Sequence, residues 1–323
     1  MILYNESVEK VLKPQRSQSK STESTEFFLC VLCGKVFYMK LGVMNHPAEN
    51  IFSEIKWAAE NGFDFLDLTL EPPLAYLDPV RNGVPYQGRT GSSDPVVPVE
   101  RSKDRSLLNP KEIKDELAKF KLGVVGHTAY YLPIGSPIEA IRDASVNEII
   151  RCMEFDKQVG VQKVNIHPDF NQPHFFSQKE KIGFNIYSLS KIVDAAKKIG
   201  VSIMVENSNS CTHELNEFFI AIPELKFHFD LGHANLKPGE RDFEKMLIKF
   251  SERLVHVHFS DNKGGYNDLH IPLGTGTVEW KEAISVLKKI GYDGTITLEI
   301  FSHDRDYLLL TKEKVKKYWL EAL

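Results

Sequence analysis

Histidines and carboxylates recur where short apolar runs of this chain end. One such run ends in Gly126-His127-Thr128, and another in Asn165-Ile166-His167-Pro168. Further on come Val205-Glu206-Asn207 and Phe229-Asp230-Leu231-Gly232-His233. The last two are His256-Val257-His258-Phe259-Ser260-Asp261 and Thr297-Leu298-Glu299, with Asn267-Asp268-Leu269-His270 between them. Brought together, imidazole and carboxylate donors bind a divalent metal ion. The set is large enough for one to three ions per chain, with zinc, manganese, magnesium or cobalt as candidates.

Not every histidine belongs to that set. A lone histidine on a strand is more often a hydrogen-bonded core residue than a ligand. His228 and His256 stand two residues before Asp230 and His258, so they share the same face one layer deeper. They are expected to hydrogen-bond behind the ligands rather than bind the metal. His46, in Asn45-His46-Pro47, is a candidate substrate contact. Glu71 shares a face with Asp67 and Thr69 and is expected at the rim of a pocket, and Tyr130 and Tyr131 supply an apolar wall beside it. His174, His213 and His303 fall in loops or helices and carry no functional expectation. For Glu206, Asp230, His258 and Glu299 a purely structural role is hard to sustain, because charged groups facing an interior need partners.

What must position these residues is an alternation of β-rich runs and helical stretches. Eight strands are expected: 40–46, 63–70, 121–128, 163–168, 202–207, 226–233, 254–261 and 295–301. Helix-period segments such as 51–61, 137–159, 188–200 and 278–291 separate them, and Gly62, Gly160, Gly200 and Gly291 sit where left-handed helix caps favour glycine. This rhythm predicts parallel βαβ units. Eight of them fit a closed (β/α)8 TIM barrel better than the alternative, an open doubly wound sheet. In such a barrel the carboxyl ends of the strands form one ring around one pocket.

Two segments break the rhythm. Residues 1–38 are expected to be a disordered extension, polar and rich in Ser, Lys and Glu over 5–26, with Met39 as a candidate translation start. Residues 39–323 then form the barrel domain. The second break, 78–109, carries four prolines, three glycines and Arg81, Arg89, Arg101 and Arg105, and reads as an insert or lid on the catalytic face.

Composition narrows the classes. Of 323 residues 42% are hydrophobic and 26% charged, which suits one sizeable core. No apolar run reaches the roughly 18 residues of a membrane span. A net charge of −4 gives no overall pull toward nucleic acid. Four cysteines make no disulfide framework; Cys30-x-x-Cys33 is half a zinc motif, and Cys152 and Cys211 read as incidental thiols, which points to a reducing, cytoplasmic setting.

From about Lys40 to the C-terminus the chain resembles the xylose isomerase-like barrel superfamily, which holds sugar and sugar-phosphate isomerases and epimerases and the apurinic endonuclease IV family. The stretch His256-Val-His-Phe-Ser-Asp-Asn-Lys, followed by Leu269-His-Ile-Pro-Leu-Gly-Thr-Gly, is similar to the epimerase-like members. That resemblance implies one metal on Glu206, Asp230, His258 and Glu299, with Glu206 and Glu299 as an acid/base pair acting through an enediolate. The endonuclease IV pattern implies three ions. His127, His167 and a bridging Glu206 would hold the first, Asp230, His258 and Glu299 the second, and His233, Asp268 and His270 the third. Gly274-Thr275-Gly276 departs from that family's Gly-Glu-Gly, and the chain is slightly acidic where duplex DNA binding calls for a basic face. The sequence therefore points to a metal-dependent sugar or sugar-phosphate isomerase or epimerase, with a multi-metal phosphodiester hydrolase as the alternative.

Overall fold

A computed structural model describes residues 39–47, 49–71, 108–208, 212–236 and 242–322. Its eight strands are β1 (Lys40–Met44), β2 (Phe65–Thr69), β3 (Gly123–His127), β4 (Lys163–Ile166), β5 (Ser202–Glu206), β6 (Lys226–Asp230), β7 (Leu254–Phe259) and β8 (Thr295–Leu298). Each pairs in parallel with the next, and β8 pairs with β1 in the register Lys40↔Thr295 to Val43↔Leu298. That last ladder closes the barrel and excludes the open sheet.

Helices run between the strands: α1 (Ile51–Glu60), α2 (Pro110–Phe120), α3 (Glu139–Val159), α4 (Gln178–Ile199), α5 (Thr212–Ala221), α6 (Leu231–Asn235), α7 (Phe243–Lys249), α8 (Trp280–Lys289) and α9 (Asp306–Glu321). The glycines expected at helix ends all have positive φ, from 65° at Gly62 to 114° at Gly160. Helix α4 starts ten residues before the expected segment, because Ser177 and Glu180 form a reciprocal capping box ahead of it. Asn109 caps α2 with Pro110 at its first position, so the expected insert ends on a helix start. Residues 78–107, with all four arginines, lie outside the described residues, as do 1–38 and Cys211. Cys152 is a buried free thiol.

All eight expected strands reach the observed ones but overrun them at the carboxyl end, and after β1 and β5 the reason is chemical. There the backbone ladder gives way to side-chain amides. Asn45 Nδ2 donates to Thr69 O and Asn45 Oδ1 accepts from Thr69 N. Asn207 makes the same two-way bond with the backbone of Asp230. The chain is thus held as if still paired while its side chains turn toward the barrel mouth. On β6 the reason is a helix cap. The strand expected to reach His233 stops at Asp230, whose Oδ1 accepts from His233 N as the cap of α6. His233 therefore sits on a helical turn.

Alternation along the strands divides the barrel wall into two faces. Outward-facing Leu66, Leu68, Val164, Ile166, Ile203, Val205, Phe227, Phe229, Val257, Phe259, Ile296 and Leu298 join the helices in one large apolar core. Inside, Phe65, Val125 and Met204 form a small separate cluster toward the floor. Gly42 is required beside it, because a Cβ there would lie 2.3 Å from the Phe65 ring.

Candidate metal centre

Above that plug the barrel interior is polar. Asp67, Asn165, Glu206, His228, Asp230, His256, His258 and Thr297 are all wholly buried, and His127 and Glu299 nearly so. The β6–β7 register sets His228 beside His256 and Asp230 beside His258, two stacked rows on one face.

Around Glu206 three imidazoles converge. Oε2 lies 2.9 Å from His167 Nε2 and 3.2 Å from His228 Nδ1, and Oε1 lies 2.7 Å from His233 Nδ1. Asn165 Nδ2 donates to Oε2 from β4. On the facing side, His258 Nδ1 lies 2.9 Å from Glu299 Oε2 and 3.7 Å from Asp230 Oδ2. Nearer the mouth, Asp268 Oδ2 stands 2.7 Å from His233 Nε2 and 2.9 Å from His270 Nε2. The loop carrying Asp268 and His270 is pinned at its root by Asp261. Its Oδ2 accepts from the backbone of Gly274 and Gly276, and its Oδ1 from Val278 N. At Gly276 a Cβ would come within 2.0 Å of Asn262 O, so the Gly-Thr-Gly turn is required for this fold-back. His270 itself adopts a left-handed φ of 45°.

The charges are set by burial and by neighbours. Burial pushes the Glu206 carboxyl up, but the imidazoles of His167 and His228 outweigh it and hold the group well below its ordinary range. Glu299, likewise raised by burial, is brought down to about 2 by His270 and His258. Asp230 is pushed up to about 7 by burial and by the nearby Glu206 and Glu299 charges. Burial lowers His127 to about 4, leaving a neutral imidazole.

This arrangement fits a divalent cation. His127 Nδ1 and Nε2, His167 Nδ1, Asp230 Oδ2 and Asp268 Oδ1 are buried without a hydrogen-bond partner among the described residues. Buried polar atoms left so are costly unless something else satisfies them. Donor atoms of four groups lie within 4.8 Å of one another: His127, His167, Glu206; Glu206, Asp230, His233; His233, Asp268, His270; and His127, His258, Glu299. All nine of the expected ligands fall in these groups. The expected first and third sets appear as whole groups, whereas Asp230 groups with Glu206 and His233 rather than with His258 and Glu299. His228 and His256 form a deeper cluster with His258.

A cleft of about 840 Å³ opens above the ring, lined among others by His46, Glu71, His127, Tyr130, Tyr131, His167, His233, Tyr266, Asp268, His270, Glu299 and Phe301. Tyr130 and Tyr131 stand edge to face at its rim. The Glu71 carboxyl is raised by burial and accepts from Thr69 Oγ1. His174, His213 and His303 are exposed and lie apart from this lining. Glu206 is wholly buried behind the lining imidazoles, whereas Glu299 reaches the cleft.

Three residues without an expected role take part. Asp67 accepts from His256 and His258, Asn165 reaches Glu206, and Asp261 anchors the loop. For Asp67 the period-2 pattern of Phe65, Asp67 and Thr69 carried the signal, since it sets the carboxylate inside the barrel.

Fold and site together define a (β/α)8 barrel with a buried ring of imidazoles and carboxylates at the carboxyl ends of its strands. The chain belongs to the xylose isomerase-like TIM barrel family, whose model matches residues 55–323. It is 30% identical to a ketose 3-epimerase of Arthrobacter globiformis over 124 residues, 36% of this chain and 40% of that one. It is 26% identical to a probable endonuclease 4 of Aquifex aeolicus over 195 residues, 54% of this chain and 68% of that one. Among solved structures, a D-tagatose 3-epimerase-like protein superposes with a TM-score of 0.69 and 27% identity, covering 87% of this chain and 97% of its own. Among the described residues, no helix is long and apolar enough to cross a membrane.

Proposed function

We propose that this protein is a divalent-metal-dependent epimerase or isomerase of ketoses or their phosphates. The observation that carries it is Glu299, a carboxylate held ionised by His258 and His270 at the floor of a cleft large enough for a sugar. The likeness to ketose 3-epimerases supports the substrate class.

Glu206, Asp230, His258 and Glu299 would hold the cation, which when bound supplies Lewis-acid polarisation of a carbonyl. Glu299 takes the proton from the carbon beside that carbonyl, leaving an enediolate, and on the other side of the ring the Glu206–His233 pair returns one, its imidazole lining the cleft 2.7 Å from the buried carboxylate. His46, Glu71 and the rim tyrosines orient the hydroxyls and cover the ring faces.

A second reading, a multi-metal phosphodiester hydrolase, draws on one specific observation. Glu206 is wholly buried and shared between two ligand groups, as a bridging ligand would be. Incubation of the metal-loaded protein with ketoses and ketose phosphates in deuterated water separates the two. Epimerisation puts deuterium on the carbon beside the carbonyl, and Glu299→Gln cuts the rate roughly 10²–10⁴-fold with little change in substrate binding. Absence of exchange with every ketose, together with metal-dependent cleavage of abasic DNA that is lost in His127→Ala, would establish the hydrolase instead.

A further inference from the structure

Asp67 is a wholly buried carboxylate in the middle of β2, on the inner face of the barrel but below the residues that line the cleft. Three donors converge on its Oδ2: His258 Nε2 at 2.8 Å, His256 Nε2 at 3.0 Å and Thr297 Oγ1 at 2.8 Å. An ionised carboxylate only accepts, so both imidazoles carry their proton on Nε2 here. For His258 this aims Nδ1 at Glu299 and Asp230.

The order continues downward. With Nε2 donating, His256 Nδ1 is left to accept from Thr295 Oγ1, 2.7 Å away. Thr295 Oγ1 in turn accepts from Lys163 Nζ at 3.0 Å, and the same ammonium donates to Val255 O at 2.7 Å. Lysine can only donate, so every proton in the line points the same way. It runs from Lys163 at the barrel floor through Thr295 and His256 to Asp67, which gathers His258 from above.

We infer that Asp67 is the positioning residue that fixes His258 as an Nδ1 ligand, and that the floor residues Lys163, Thr295 and His256 fix Asp67. The inference rests on reading His258 as a ligand. Hydrogen-bond partners behind a metal-bound imidazole set its tautomer and ring plane, and their loss weakens the metal by roughly 10–100-fold.

The test uses the full chain and two readouts. In metal-free protein labelled with 15N-histidine, the His258 Nε2–H proton should be protected and hydrogen-bonded, and Asp67→Asn, which leaves only a neutral amide oxygen to accept, should shift and weaken that signal. With cobalt(II) as probe in competition with a chromophoric chelator, Asp67→Asn should bind roughly 10–100-fold more weakly. A folded Asp67→Asn protein that keeps both the signal and its affinity within about twofold, when 10-fold or more is expected, overturns the inference. Should Asp67→Asn fail to fold, Thr297→Val and Lys163→Met take its place, each leaving both imidazole bonds to Asp67 available. Each should shift the His256 and His258 signals, and no shift in either variant would overturn the inference. If the parent chain binds no cobalt, the metal reading fails, while the metal-free signal still decides the role of Asp67.

Discussion

On β7, Val257 and Phe259 point out under the helices while His256 and His258 point into the barrel, and each neighbouring strand repeats the division. The outer layer is apolar and closely packed. Above its small apolar floor the inner wall is titratable. Carboxylates show the contrast in one group type. Inside, burial raises Glu206 and Glu299, and facing imidazoles more than reverse the effect. In the outer layer Asp156 of α3, packed against β3 at Gly126, is raised well above its ordinary range by burial and then by the charge of Asp67. Its Oδ1 has no hydrogen-bond partner among the described residues. One face is built to hold charge and the other to exclude it, which is how a single closed sheet supplies both stability and a reactive site.

The comparison can be broken most severely from outside. Phe227 is wholly buried against Phe219, Phe229 and Phe250, with ring centroids 5.6–6.1 Å away. Phe227→Ala should cost about 3–5 kcal/mol in denaturant unfolding. The folded fraction should still bind metal in unchanged stoichiometry, because no inner-face donor is touched. A variant that stays stable but loses its metal would show that the two faces are not separable.

A smaller effect sharpens the contrast. Because the Asp156 carboxyl is raised on folding, its proton is held more tightly in the native state than in the unfolded chain. Its contribution is greatest below the ordinary carboxylate range and declines as pH rises toward the folded value. At neutral pH Asp156→Asn, which keeps the shape of the protonated acid, should leave Tm unchanged or raise it by about 2–4 °C. It should also flatten the decline of stability with pH. A clear loss of Tm would mean that Asp156 is ionised and paired.

Much of this division was legible in the sequence. The strands announced themselves by β-rich runs ending in ligand residues, and the ring of strand ends brought Glu206, Asp230, His258 and Glu299 together. What was not legible lay in tertiary pairing. The partner of His258 is Asp67, 191 positions away, and no local pattern names it. The true end of β6 depended on Asp230 capping a five-residue helix, a competition between ladder and cap that the apolar pattern does not register. The start of α4 was available in Ser177 and Glu180 but lay ahead of the apolar stripe used to find the helix.

The central claim is that the inner ring holds a divalent cation. Elemental analysis of the protein purified without chelator tests it most directly, alongside Glu299→Ala and the double variant Asp268→Ala, His270→Ala. At least one divalent ion per chain is expected in the parent. Glu299→Ala should empty the site on Asp230 and His258, because an oxygen donor is lost. The double variant should lose only an ion bound by His233, Asp268 and His270. Parent protein that stays free of divalent metal even after dialysis against zinc, manganese, magnesium and cobalt would contradict the claim, and the buried imidazoles would then need another explanation.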